Sequence, residues 1–360
     1  MKVPIVKLQI PDHLLEDVNN VLKSGMWVEG PPVRELEQKF AEFIGTKYCR
    51  AVNNGTSALL SIIYGLNFNR GDEIIIPSFS FIATANCMIP FGIKPVFADI
   101  DIQSFTLSPQ SVKKAISSKT KAIMPVHLYG LCANMKEINE IADKNDLIVI
   151  EDACQSHGAE IHGKKAGNLG EIAAFSLYPT KNMFSGGEGG LITTNNIELY
   201  EKIDRFVNQG QSQKYLHTEM GFNFRMPAIA GVIAKYSLTT LEENNKKRIK
   251  NAHVYNELFQ DVSDVIIPEV PKGYTHVFHQ YTIRVPKRDG LADFLSQHEI
   301  GYGIHYKIPI HQQPIYQILE QISLKNTEVA ANQVISLPIH PFLTNDQIHF
   351  VANTIKQYYT

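Results

Sequence analysis

Three short stretches of the 360-residue sequence hold residue types whose spacing can do chemistry. The first is VNNGTSALL, residues 52–60. An apolar run ends at Val52, a turn containing Gly55 follows, and a helix is expected to start near Thr56. Backbone N–H groups at a helix N-terminus, joined by the hydroxyls of Thr56 and Ser57, can grip a phosphate. An ordinary helix cap uses the same residue types. The second is Asp152, which closes the apolar run LIVIED. A carboxylate at the carboxyl end of a buried strand faces the region where open α/β sheets bind ligands, although it can equally cap the next turn. The third is FSLYPTKNMFSGGEGGLITT, in which Lys181 lies between Pro179 and the glycines 186, 187, 189 and 190. Glycines let backbone approach a bulky ligand. A lysine held in a tight turn beside a sheet loses hydration, which lowers its pKa and makes it a nucleophile. A surface lysine is the commoner case for any one of these side chains. Together, a phosphate cup, an acid and a lysine in that order are what pyridoxal 5′-phosphate (PLP) requires: a grip on its phosphate, a partner for its pyridine nitrogen and an amine to form the imine.

The surrounding elements must place these groups on one sheet. Apolar runs read as strands at 49–52, 73–77, 95–98, 122–126 and 147–151, with helical stretches between them. Such alternation predicts an α/β fold with a mostly parallel central sheet covered by helices on both faces. Upstream, one helix is expected after Asp12 with Leu14, Leu15, Val18 and Leu22 on its inner face, ending at Gly25. A second follows Pro31 and Pro32, with Val33, Leu36, Phe40 and Phe43 inward, ending at Gly45. Beyond Leu191 the texture changes. A polar helix is expected from about Thr240 to Phe259, followed by a smaller α+β region with strands at 277–285 and 335–338. Its final helix begins at Thr344, where T-N-D-Q fits a capping box. The expected division is a large domain over 1–235 and a small one over 236–360.

Composition bounds the rest. Hydrophobic residues are 44% and charged residues 19% of the chain, enough for a sizeable core. With 34 Lys+Arg against 36 Asp+Glu the net charge is −2, which gives no footprint for nucleic acid or an anionic membrane. Cys49, Cys87, Cys132 and Cys154 form no C-x-x-C pair, so no metal site is expected and a reducing, cytoplasmic setting fits. The first residues lack the pattern of a signal peptide, and no run is long enough to span a membrane.

Nearly the whole sequence resembles the DegT/DnrJ/EryC1/StrS family of nucleotide-sugar aminotransferases, which have the fold of aspartate aminotransferase. The resemblance rests on G-x-W-V-x-G-P, NGTSAL, DEIIIPSFSFIATAN, PVFADID, MPVHLYG, IEDACQSHGA, FSLYPTKNMFSGGEGG, GFNFRM and IHYKIPIHQQPIY. It implies that Lys181 holds PLP as a Schiff base and that Asp152 pairs with the pyridine nitrogen. It further implies that Gln155 contacts the phenolic oxygen, that Phe81 stacks on the ring, and that Gly55, Thr56, Ser57 and Ser176 surround the phosphate. Asn223 is implied to reach the phosphate in a neighbouring subunit, which makes the working unit a homodimer with shared sites. His305, Tyr306 and Glu188 are placed near the substrate by resemblance only. His127 and His157 are read as structural at least as readily as functional.

The activity so implied is amino transfer from an amino acid, L-glutamate in the family, to a nucleotide-linked keto-sugar. The GGEGG form leans towards a 4-keto-6-deoxy acceptor. Two other classes stay open: another PLP enzyme of this fold, such as a dehydratase or a desulfurase, and a non-catalytic PLP-binding regulator. Lys181 argues against the dehydratase branch, which replaces the lysine with histidine. The absence of a cysteine in an obvious glycine-rich loop argues against a desulfurase.

Overall fold

A computed structural model describes residues 1–317 and 322–359. A seven-stranded sheet forms its centre. The strands are β1 (Tyr48–Val52), β2 (Glu73–Pro77), β3 (Lys94–Ala98), β4 (Thr120–Ile123), β5 (Ile148–Asp152), β6 (Ile172–Ser176) and β7 (Gly190–Thr194), in the spatial order β1-β7-β6-β5-β4-β2-β3. The pairs β2–β3, β2–β4, β4–β5 and β5–β6 are parallel, and β7 runs antiparallel to both β1 and β6. The strands are apolar because both faces are covered. β4 begins two residues earlier than expected; Met124 to Val126 continue its line, with Val126 bridged to Asp152.

Helices α1 (Asp12–Ser24) and α2 (Pro31–Ile44) end at Gly25 and Gly45 as read from sequence. The inner face of α1 differs from expectation. Leu14 and Val21 are buried, while Leu15 and Leu22 are exposed. Spacings of four and three through Leu14, Val18 and Val21 define the stripe, and it packs on Ala228 and Val232. In α2, Val33, Leu36, Phe40 and Ile44 are buried and Phe43 lies at the edge of the core. Helices α3 (Gly55–Leu66) and α5 (Ile197–Val207) cover one sheet face, and α4 (Met135–Asn145) lies against the other.

The long helix α6 spans Ala228–Phe259 and starts well before Thr240. Its opening segment, AIAGVIAKYSL, is apolar because it is packed against α1 and α2. Its far end sends Ala252, Tyr255 and Phe259 into a second core, shared with α7 (Asn345–Tyr359). Residue 236, the expected domain change, therefore lies inside a continuous helix. In the second core β8 (Tyr281–Arg284) pairs antiparallel with β9 (Val334–Leu337). β8 is shorter than the expected 277–285 because the preceding residues bond elsewhere: Val277 N–H to Gly130 O at 3.0 Å and Gln280 N–H to Tyr129 O at 3.1 Å. Val3 joins this core through a parallel bridge to Ile300, its N–H donating to Glu299 O at 3.1 Å and its carbonyl accepting from Gly301 N–H at 2.8 Å. The capping box at Thr344 forms as read, with Gln347 N–H to Thr344 Oγ1 at 3.2 Å and Thr344 N–H to Gln347 Oε1 at 3.1 Å. Among the described residues no helix is long and apolar enough to cross a membrane.

Candidate active site

The carboxyl ends of β1, β5 and β6 open onto a cavity of about 810 Å³, in the range of small-molecule pockets. At one side lies the first turn of α3. The Asn54 side chain caps it by accepting from Ser57 N–H at 2.7 Å. A Cβ on Gly55 would sit 2.8 Å from Ser176 Cβ, so only glycine lets β6 bring the Ser176 hydroxyl up to the helix N-terminus. Helix dipole, backbone and the hydroxyls of Thr56, Ser57 and Ser176 thus converge on one cradle suited to a phosphate.

Asp152 ends β5 and is buried. Its Oδ2 accepts from Thr84 Oγ1 at 2.8 Å, and Thr84 is in turn linked to Ser80 Oγ at 2.8 Å; its Oδ1 accepts from Cys154 N–H at 3.3 Å. Behind it, the fully buried Glu151 carboxylate accepts from the N–H groups of Gly167, Leu169 and Gly170 at 2.8, 2.6 and 2.7 Å and from His127 Nε2 at 2.8 Å. Ala133 N–H donates to His127 Nδ1 at 3.1 Å, which sets the tautomer in which Nε2 donates. His127 lies outside the cavity.

Lys181 closes a turn, its N–H bonding Tyr178 O at 2.9 Å. The next residue pins the turn to α6, as Asn182 Nδ2 donates to Asn245 Oδ1 at 2.8 Å and to Val277 O at 3.0 Å. Burial lowers the Lys181 pKa, opposed by attraction to Cys154 and Asp152. An amine with a lowered pKa is more often neutral and nucleophilic. Gly186, at φ 75°, begins the glycine turn, and a Cβ there would meet Ile233 Cδ1 at 2.5 Å.

Gln155 shows how the amide is oriented. Its Oε1 accepts from Tyr129 N–H at 3.0 Å, so its Nε2 is the face turned to the cavity, where it donates to Tyr306 Oη at 3.1 Å. Phe81 lies at the mouth, 56% exposed, with its ring 6.3 Å from that of Tyr306. His305 and Glu188 also line the cavity. Burial holds His305 down at about 4, helped by the Lys181 charge. His157 is buried near Lys181 against the Phe175 ring but does not line the cavity; burial takes it down to about 3. Asn223 is exposed and outside the cavity, although its neighbour Phe224 lines it. Sequence reading missed Thr84, Tyr129, His279 and Gln280. Thr84 follows PSFSF by a single turn and could have been suspected as a holder of Asp152. The other three carry no local signal, since their places depend on the contact between residues 128–130 and 276–280.

The sequence profile of the DegT/DnrJ/EryC1/StrS aminotransferase family matches residues 9–356. The chain belongs to this family. Among its curated relatives, a UDP-2-acetamido-2-deoxy-3-oxo-D-glucuronate aminotransferase of Pseudomonas aeruginosa is 38% identical over 96% of this chain and 95% of its own length. A UDP-N-acetyl-3-dehydro-α-D-glucosamine 3-aminotransferase of Acidithiobacillus ferrooxidans is 36% identical over 99% and 97%. The crystal structure of Streptomyces venezuelae DesV in complex with a ketimine intermediate superposes with a TM-score of 0.97 at 33% identity, covering 99% of this chain and 98% of that one. Like its solved neighbours, the chain has the aminotransferase fold, and it is an aminotransferase of a family that works with PLP.

Proposed function

We propose that this chain binds PLP in the cavity and transfers an amino group from L-glutamate to a nucleotide-linked keto-sugar. The observation that carries the reading is the convergence of Lys181, Asp152, Gln155 and the capped N-terminus of α3 on one cavity. The residues present fit the cofactor. Gly55, Thr56, Ser57 and Ser176 would hold its phosphate, Asp152 its pyridine nitrogen, Gln155 Nε2 its phenolic oxygen and Phe81 one face of its ring. Bound PLP supplies an electron sink for the pair left at the donor α-carbon. Asp152, aligned by Thr84, keeps a proton on the pyridine nitrogen. Lys181 would take the proton from the donor α-carbon and later return one to the sugar carbon. His305, Tyr306 and Glu188 stand where the sugar would enter.

The names of two relatives, at 36% and 38% identity, point to C3 of the sugar, and we adopt C3 over the C4 suggested by GGEGG. The working unit is a homodimer in this reading, supported by the exposure of Asn223 beside the cavity-lining Phe224 and of Met26, Trp27 and Val28, whose segment is held by backbone hydrogen bonds to Met226 and Ala228. The test is to offer UDP-, GDP- and dTDP-linked 3-keto and 4-keto sugars with ¹⁵N-glutamate, reading product mass and the carbon bearing nitrogen by NMR. Amination at C4 alone would overturn the C3 assignment, and no amination would overturn the whole reading. Borohydride reduction should fix a pyridoxyl group on Lys181, and label on another lysine would overturn that residue's role.

A further inference from the structure

Beside the main cavity lies a smaller chamber of about 150 Å³ that no step above uses. The two share the residues Thr180, His279, Gln280 and His305. One lining residue of the chamber is Arg248, from the middle of α6, only 8% exposed. Its hydrogen bond among the described residues runs from Nη1 to Phe278 O at 3.2 Å, and no carboxylate offsets its burial. A buried guanidinium without a counter-charge is costly, and a planar fork with spare N–H groups is the usual partner of a carboxylate. The shared wall is short of partners too. His279 Nδ1, His305 Nδ1 and Gln280 Oε1 are buried without hydrogen bonds, and the Gln280 amide presents N–H groups when turned over. The remaining lining includes Ile5, Val6, Leu337 and Ile339, which suits methylene groups.

We propose that this chamber is the subsite for the side-chain carboxylate of a dicarboxylic amino donor, with Arg248 as its counter-ion and His279 and His305 beside it. The inference rests on the aminotransferase reading above and adds where the donor's side-chain carboxylate is held and by which residue. One buried positive charge matches one carboxylate better than a diphosphate. The apolar walls would pack the methylene stem of the donor, whose amine remains in the main cavity near Lys181. Arg248 would then select a dicarboxylate over a neutral amino acid, because only the former neutralises it.

The test uses the cofactor-loaded enzyme and calorimetric binding of glutarate, with valerate as a probe of equal length bearing one carboxylate. Unsubstituted enzyme should bind glutarate at least tenfold more tightly than valerate. Arg248→Gln should weaken glutarate on the order of 30-fold, and Arg248→Lys should restore part of that loss. In turnover, KM for L-glutamate should rise in step while KM for L-alanine changes much less. Equal binding of glutarate and valerate by the unsubstituted enzyme would overturn the proposal without any variant having to fold. So would an Arg248→Gln protein that binds glutarate normally, or one that loses L-alanine and L-glutamate equally. Absence of any sugar amination by the unsubstituted enzyme would overturn the activity and the subsite together, and it is seen before any substitution is made.

Discussion

Glu151→Gln tests the foundation under Asp152 with almost no change of shape. The carboxylate has no solvent exposure and accepts four hydrogen bonds: Leu169 and Gly170 N–H on Oε1, Gly167 N–H and His127 Nε2 on Oε2. A glutamine supplies one oxygen and one NH₂. Whichever way it turns, two donors face an NH₂ group. His127 cannot relieve this by changing tautomer, because a proton on Nδ1 would then face Ala133 N–H at 3.1 Å. An unsatisfied buried donor costs about 1–3 kcal/mol. Two of them give about 2–6 kcal/mol, and the loss of charge-assisted bonds keeps the value from the low end. Equilibrium urea unfolding followed by circular dichroism should therefore show a loss of about 3 kcal/mol or more. Cofactor retention should fall too, since the strand that carries Asp152 is loosened. A loss below about 1 kcal/mol would refute the reasoning, because it would mean that the four donors find other partners.

Three further outcomes are expected. Asp152→Asn should retain the fold and bound cofactor but lose at least about 100-fold in turnover, measured as kcat with saturating donor, because an amide cannot hold the pyridine proton electrostatically; near-normal turnover would remove that role. The neutral amine of Lys181 increases with pH, and its pKa is lowered by burial, so the rate at which the cofactor-free protein captures PLP should rise with pH and level off below the ordinary lysine value. An inflection at or above that value would count against a desolvated amine. Co-expression of inactive Lys181→Ala and Asn223→Asp chains should return activity well above either alone, since a mixed dimer has one intact site; if every mixture stays inactive, Asn223 serves its own subunit's site.

Much of this was legible in the sequence because the signals are local. Glycine at 25 and 45, Pro31 and the T-N-D-Q box each act within a turn or two, and the elements they bound are where they were expected. Gly55, Asp152 and Lys181 could be read as one constellation because strand ends of a single sheet place them together. What escaped depends on packing between distant segments. Leu15 and Leu22 fit an apolar stripe by type, yet Val21 occupies the inner face because α6 approaches from that side. The opening of α6 lacks the polar pattern of its later turns, since two helices cover it. Residues 276–280 have the composition of a strand, but their backbone is taken up by residues 128–130, which brings His279 and Gln280 to the cavity and orients Gln155 through Tyr129.

The clasp at Val3 has a consequence for synthesis. Its partners, Glu299, Ile300 and Gly301, are made nearly 300 residues later, so Val3 must wait for them before its place exists. At 5–20 residues per second that delay is roughly 15 to 60 s. The large sheet can close on the ribosome during that interval, since all seven strands are finished by Thr194. The second core cannot, for it requires Val3 together with residues as far along as Ile355. Until those later residues are made, the apolar far end of α6 is the surface most in need of a chaperone's cover.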